Sequence, residues 1–181
     1  LQQNTTAHLI ADMETIRAAL AIDRWVVFGG SWGSTLGLAY SQAHTERVLG
    51  LILRGVFLCR EQDIQWFYQQ GASEIFPDYW CDYQAVIPEH ERHDMVSAYY
   101  QRLTSEDKQG QLQAAQEWSI WEGKTSTLQP KQSVTAHFGY PEGALSLARI
   151  ECHYFKHKSY LRPNQLIQDA HKLAHTPGYI V

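Results

Sequence analysis

The chain has 181 residues, 44% hydrophobic and 19% charged, with a formal net charge of −4. That length buries a real core, as one large domain or one domain plus an insertion, and the composition is too apolar for a disordered chain. The charge leaves no basic footprint for nucleic acid and no apolar run approaches the ~20 residues of a membrane span, so neither is an expected partner.

Asn4-Thr5-Thr6 reads as a helix start, with Leu9, Ile10, Met13, Ile16, Ala19 and Leu20 following at helical spacing. Ala21-Ile22-Asp23-Arg24 turns the chain into an apolar strand, Trp25-Val26-Val27-Phe28. A second helix is expected over about 32–43, where Ser34, Gly37 and Ala39 are small enough for close packing on a sheet. Val48-Leu49-Gly50-Leu51-Ile52-Leu53 is a second continuous apolar run, of the kind found in parallel strands covered on both faces. Helix, strand, helix, strand in this order defines an α/β class.

From residue 59 the texture changes. Trp66-Phe67-Tyr68, Tyr79-Trp80, Tyr99-Tyr100, Trp118 and Trp121 load the segment with rings, and β-branched runs are nearly absent. Pro77, Pro88, Gly110, Pro130 and Pro141 punctuate helical spacings. The economical architecture is a partial parallel sheet core over 1–58, an all-helical cap over 59–161, and a return to the core over 162–181. That return holds a helix from Arg162-Pro163-Asn164 to about Lys172 and a strand after Thr176-Pro177-Gly178. The first residues show no secretory-leader pattern, and the scattered Cys59, Cys81 and Cys152 suit a reducing, cytoplasmic setting. There is no initiating methionine, and Gly178-Tyr179-Ile180-Val181 looks like a strand stopped midway, so both ends are expected to be cut.

The chemistry concentrates in Gly29-Gly30-Ser31-Trp32-Gly33, which lies between the first strand and the second helix. Strand, tight turn and helix with a serine at the apex is the G-x-S-x-G elbow of an α/β-hydrolase. The strained turn pushes the Ser31 hydroxyl above the sheet edge. A side chain at Gly29 or Gly33 is expected to collide with the neighbouring strand or helix. The Trp32 backbone N–H then points at a forming oxyanion, at the positive end of the helix. Elsewhere, His153 with His157 and His171 with His175 stand four apart, but without a nearby acidic third ligand they are expected in surface or packing roles. Asp169 and His171 precede the last strand and are rejected as triad members. Cys152 is expected to be a small buried apolar residue.

Gly29-Gly30-Ser31-Trp32-Gly33-Ser34 and Leu53-Arg54-Gly55-Val56-Phe57 together resemble the proline iminopeptidases. The likeness continues through Trp66-Phe67-Tyr68-Gln69, Gly71-Ala72-Ser73, Ile75-Phe76-Pro77-Asp78, Trp118-Ser119-Ile120-Trp121-Glu122-Gly123 and Ala148-Arg149-Ile150-Glu151-Cys152-His153-Tyr154-Phe155. It covers nearly the whole chain, and several blocks lie in the cap, the part that differs most among α/β-hydrolases.

The resemblance implies a serine exopeptidase acting on peptides with an N-terminal proline, with no cofactor or metal. Ser31 would be the nucleophile, through an acyl-enzyme, and Trp32 would supply one oxyanion donor. Glu122 and Glu151 would bind the free amino terminus, since a cationic secondary amine that loses its water needs anionic partners. Two such carboxylates repel, so one should be held protonated or have an arginine neighbour, for which Arg54 is the candidate. Phe57, Phe67 and Tyr68 would wall the proline ring. The family's His-Gly-Gly-Pro-Gly oxyanion loop, triad aspartate and triad histidine all fall outside residues 1–181, so the 181 residues alone are expected to be inactive. The alternatives are another α/β-hydrolase (an esterase or a broader aminopeptidase) and a non-catalytic peptide-binding piece; a dehalogenase or epoxide hydrolase would need Asp in place of Ser31.

Overall fold

The Thr5 hydroxyl accepts the His8 backbone N–H at 3.3 Å and opens the first helix. The computed structural model describes residues 1, 3–129 and 131–181. In chain order the elements are α1 (Thr6–Ala19), β1 (Trp25–Ser31), α2 (Trp32–Ala43), β2 (Val48–Val56), α3 (Glu61–Tyr68), α4 (Ala72–Ile75) and α5 (Pro77–Ala85). They continue with α6 (Met95–Thr104), α7 (Lys108–Thr125), α8 (Gln132–Phe138), α9 (Pro141–Lys156), α10 (Gln165–Gln168) and β3 (Gly178–Ile180). The chain forms two compact units, one of residues 1–63 and 158–181 and one of residues 64–157. Pro130, one of the expected cap boundaries, lies outside the described residues.

In the first unit β1, β2 and β3 form a parallel sheet in that order, with Phe28 opposite Ile52 and Ile52 opposite Tyr179. Parallel neighbours need a crossover, and α2 supplies it between β1 and β2. A Cβ added at Gly37 of α2 would lie 3.3 Å from Val27 Cγ1, so the small residue lets helix and sheet approach closely. Val27, Tyr40, Val48, Leu51 and Leu53 make the buried core, with Ile10, Met13 and Trp25 packed against it. A polar chain ties α1 in: Trp25 Nε1 donates to the Tyr40 hydroxyl, which donates to Glu14 at 2.7 Å. Arg17 grips the same carboxylate at 2.8 Å and, with Tyr40, holds it down to about 2.

Two expectations need correction. The sheet is covered on one face and not on both: among the described residues Val26 is 55%, Phe28 68% and Tyr179 73% exposed, while Val27, Leu51 and Leu53 on the other face are buried. Strand periodicity sends alternate side chains to opposite faces, and α2 packs on one of them. The final helix is also shorter than the 162–172 expected. α10 ends at Gln168, and 170–173 is a separate tight turn after Asp169. The Asp169 carboxylate takes both Arg162 at 3.3 Å and Lys172 at 3.1 Å, and its carbonyl takes the Lys172 N–H three residues on.

The second unit is helical and its core is aromatic. Tyr83 stacks on Tyr99 at 4.7 Å and on Trp121 at 5.3 Å, and Trp118 meets Tyr99 edge-on at 5.3 Å. Trp118, Trp121, Tyr83 and Tyr99 are fully buried. Rings on successive helical turns present large flat surfaces that interlock without β-branched residues. Cys152 is buried here and donates its thiol to the Val96 carbonyl. No helix among the described residues is long and apolar enough to cross a membrane.

Candidate active site

β1 runs into α2 through Ser31, whose backbone sits at φ 53°, ψ −125°. A non-glycine residue in that region costs on the order of 1–3 kcal/mol, which surrounding structure must offset. Ser31 is exposed and occupies the N-cap position of α2, yet its side chain makes no capping bond. The hydroxyl is thus presented outward, and Trp32 begins the helix at its positive end.

The two flanking glycines are not equivalent. A Cβ at Gly29 would sit 2.2 Å from the Gly33 carbonyl oxygen, whereas a Cβ at Gly33 meets nothing within 4 Å. The collision expected at Gly33 is therefore absent: its own backbone is what crowds Gly29, and its Cβ direction is open. Gly29→Ala is expected to lower stability by about 1–3 kcal/mol through overpacking against main chain, while Gly33→Ala, in the first turn of a helix, is neutral or stabilising by up to about 1 kcal/mol. Urea titration of both variants checks the contrast; equal losses would contradict it.

Ser34 and Thr35 hold the elbow to the end of β2. Ser34 Oγ donates to the Ser31 carbonyl at 2.6 Å and accepts the Phe57 N–H at 2.9 Å, while Thr35 Oγ1 donates to the Phe57 carbonyl at 2.5 Å. Phe57 is thereby pinned to the first turn of α2. Sequence reasoning read Ser34 only as a small residue; the available signal was two hydroxyls in a helix's first turn, where they bond back to main chain. Arg54 stands opposite Gly30 across the sheet, and a Cβ at Gly30 would lie 2.7 Å from its guanidinium. The first unit therefore brings Ser31, Trp32, Arg54 and Phe57 together.

The helical unit assembles the other predicted residues. Trp118 and Glu122 lie one turn apart on α7, and Glu151 lies on α9, which packs against it. The Tyr68 hydroxyl donates to Glu122 Oε1, and Trp118 Nε1 donates to Glu151 Oε2 at 2.9 Å. The two donor rings are themselves stacked, 4.5 Å apart and 11° from parallel. Phe67 packs beside them, 4.9 Å from Tyr68 and 5.8 Å from Trp121. Tyr68 is thus more than the apolar wall expected of it, since its hydroxyl orients a carboxylate. The polar role of Trp118 was missed because an indole N–H is invisible in a count of apolar residues.

Burial pushes the Glu122 carboxyl up to about 7, with the Tyr68 hydroxyl opposing. Burial, and then the neighbouring Glu122 charge, push Glu151 well above the usual carboxylate range, with the Trp118 N–H opposing. Two carboxyls in one aromatic enclosure can accept N–H bonds from a cation more readily than they can carry two bare charges. The histidine pairs take local roles: His157 Nδ1 lies 2.7 Å from the His153 carbonyl, and His171 Nδ1 2.8 Å from that of Gln168. Among the described residues no group of three or more His, Cys, Asp or Glu is placed to hold a metal ion.

A strained serine at a strand–helix elbow beside a parallel sheet is the arrangement of a serine hydrolase of the α/β type, and the family model of the α/β-hydrolase fold matches residues 2–126. The chain belongs to that family. Over its whole length it is 54% identical to the proline iminopeptidase of Xylella fastidiosa (strain 9a5c), of which it covers 58%. It is likewise 54% identical to a probable proline iminopeptidase of Leptolyngbya boryana, covering 57% of that protein, and 44% identical to the proline iminopeptidase of Arabidopsis thaliana, covering 48%. The chain spans about half the length of the curated relatives it matches.

Proposed function

We propose that this chain carries the nucleophile and the amine-recognition residues of a serine exopeptidase that releases N-terminal proline from peptides. The observation that carries the reading is the buried pair Glu122 and Glu151, each held by an aromatic donor, on the same chain as the Ser31 elbow. The pair takes the substrate's secondary ammonium. Arg54 and Phe57 on the sheet unit, with Phe67 and Tyr68 on the helical unit, complete substrate binding. Ser31 Oγ attacks the prolyl carbonyl as a histidine takes its proton, and the tetrahedral oxyanion accepts the Trp32 N–H. The C–N bond then breaks, the histidine returns the proton to the leaving amine, and water hydrolyses the Ser31 ester to free proline.

The histidine, its orienting aspartate and the second oxyanion donor are assigned to positions outside residues 1–181, so the 181 residues alone are assigned no turnover. Free thiols at Cys59, Cys81 and Cys152 fit a reducing, cytoplasmic compartment. The test is a panel of proline arylamide, alanine arylamide and an acyl ester, run on a form extended to the relatives' length. A preference for proline of about 10²-fold or more is expected. Equal turnover of alanine, or a preference for the ester, would overturn the assignment. Serine-dependent turnover by the 181 residues alone would overturn the placement of the missing groups.

A further inference from the structure

We propose that Glu122 and Glu151 keep one shared proton in the unliganded protein at neutral pH and surrender it when a cationic amine enters, so that amine recognition here is an exchange of cation for proton. The inference deepens the proposed function and rests on it.

The geometry carries the argument. Tyr68 already occupies Oε1 of Glu122, and Trp118 occupies Oε2 of Glu151. Each carboxyl therefore keeps one uncommitted oxygen, and the stacked donor rings set the spacing of the two groups. With no ligand the enclosure offers those two oxygens little water, and a single proton between them removes one of two like charges. A protonated secondary amine has two N–H bonds, one for each remaining oxygen. The charge balance is the same on both sides: two carboxyls with one proton carry −1, and two carboxylates with one ammonium also carry −1. In balanced form, the ammonium binds, the carboxylic O–H bond breaks heterolytically, and the proton leaves to solvent. No redox partner is needed.

The titratable groups facing the pair are Tyr68 from α3, Tyr83 from α5 and Cys152 beside Glu151 on α9, all kept neutral by burial. Lys156, in the last turn of α9, donates to Ser97 and acts on Cys152. None of the three facing groups carries a positive charge that would offset the pair. The raised position of both carboxyls agrees with a retained proton.

Calorimetric titration with L-prolinamide at about pH 7.5, in two buffers of different ionisation enthalpy, counts protons exchanged per ligand once the amine's own ionisation is subtracted. The form used is the one extended to the relatives' length. Release of about one proton is expected, with affinity rising about tenfold per pH unit. Binding with no proton release would overturn the exchange while leaving amine recognition intact. No binding at any pH would overturn both. Glu151→Gln is expected to cut the release below about half a proton. If that variant fails to fold, infrared difference spectra of the unaltered protein, free against liganded, show the protonated carboxyl band vanish; a band that persists overturns the exchange. Tyr68→Phe keeps the ring stack but removes a donor that favours the ionised form, so its exchange midpoint shifts up by about one pH unit. An unchanged midpoint would overturn the positioning role of Tyr68.

Discussion

Ser31→Ala, in a form extended to the relatives' length, is expected to lower kcat for a proline arylamide by about 10⁴–10⁶-fold while leaving L-prolinamide binding unchanged. The hydroxyl is the atom that forms the ester, and no neighbouring group replaces it. Ser34 is committed to the Ser31 carbonyl and the Phe57 N–H, and Thr35 to the Phe57 carbonyl. Stability should move by less than about 0.5 kcal/mol, because alanine meets the same positive-φ penalty as serine and the lost hydroxyl makes no capping bond. Steady-state turnover and ligand titration of the same preparation separate the two effects. Retained turnover would remove Ser31 from the mechanism, whereas lost binding would point to a disturbed fold.

Glu122→Gln is expected to raise KM about 10²-fold and, at the same time, to stabilise the protein above neutral pH. The KM effect follows from replacing a buried anionic acceptor by a neutral one opposite a desolvated cation. The stability effect runs the opposite way. The folded carboxyl is raised from the ordinary 4.5 to about 7, so between those values the folded state binds more protons than the unfolded one. Stability from this group is therefore full below about 4.5, declines as pH rises to about 7, and stays low above it. Glutamine has no such decline, so the variant should match the original near pH 4.5 and exceed it by about 1–3 kcal/mol near pH 8. Urea midpoints at the two pH values give the comparison. A variant that loses stability at pH 8 would show that Glu122 is held as a stabilising anion, against the proposed enclosure.

Much of this protein was legible along the chain. The elbow was readable because strand, turn and helix are adjacent in sequence, and the second helix lies where small residues and spacing put it, over Trp32–Ala43. The shortened last helix was not legible, because its interruption depends on Asp169 gathering Arg162 and Lys172. Nor was the exposed sheet face: the apolar runs at Val26, Phe28 and Leu49 read alike whether or not anything packs on them. At the candidate site Glu122 and Glu151 were found through family likeness, since a single glutamate on a helix looks like a solvated face.

By itself the sequence determined the α/β class, the helical insertion, the serine at the elbow and the family likeness, since each is a local pattern or an ordered set of such patterns. Only the tertiary structure decided that Gly29 and not Gly33 is the crowded glycine, that Ser34 and Thr35 pin Phe57, and that Tyr68 and Trp118 each engage a carboxyl from within one stack. Those facts join residues 22 to 54 positions apart or depend on where main chain meets main chain. Burial and the distance between like charges set the protonation of a carboxyl, and both exist only once the chain has folded.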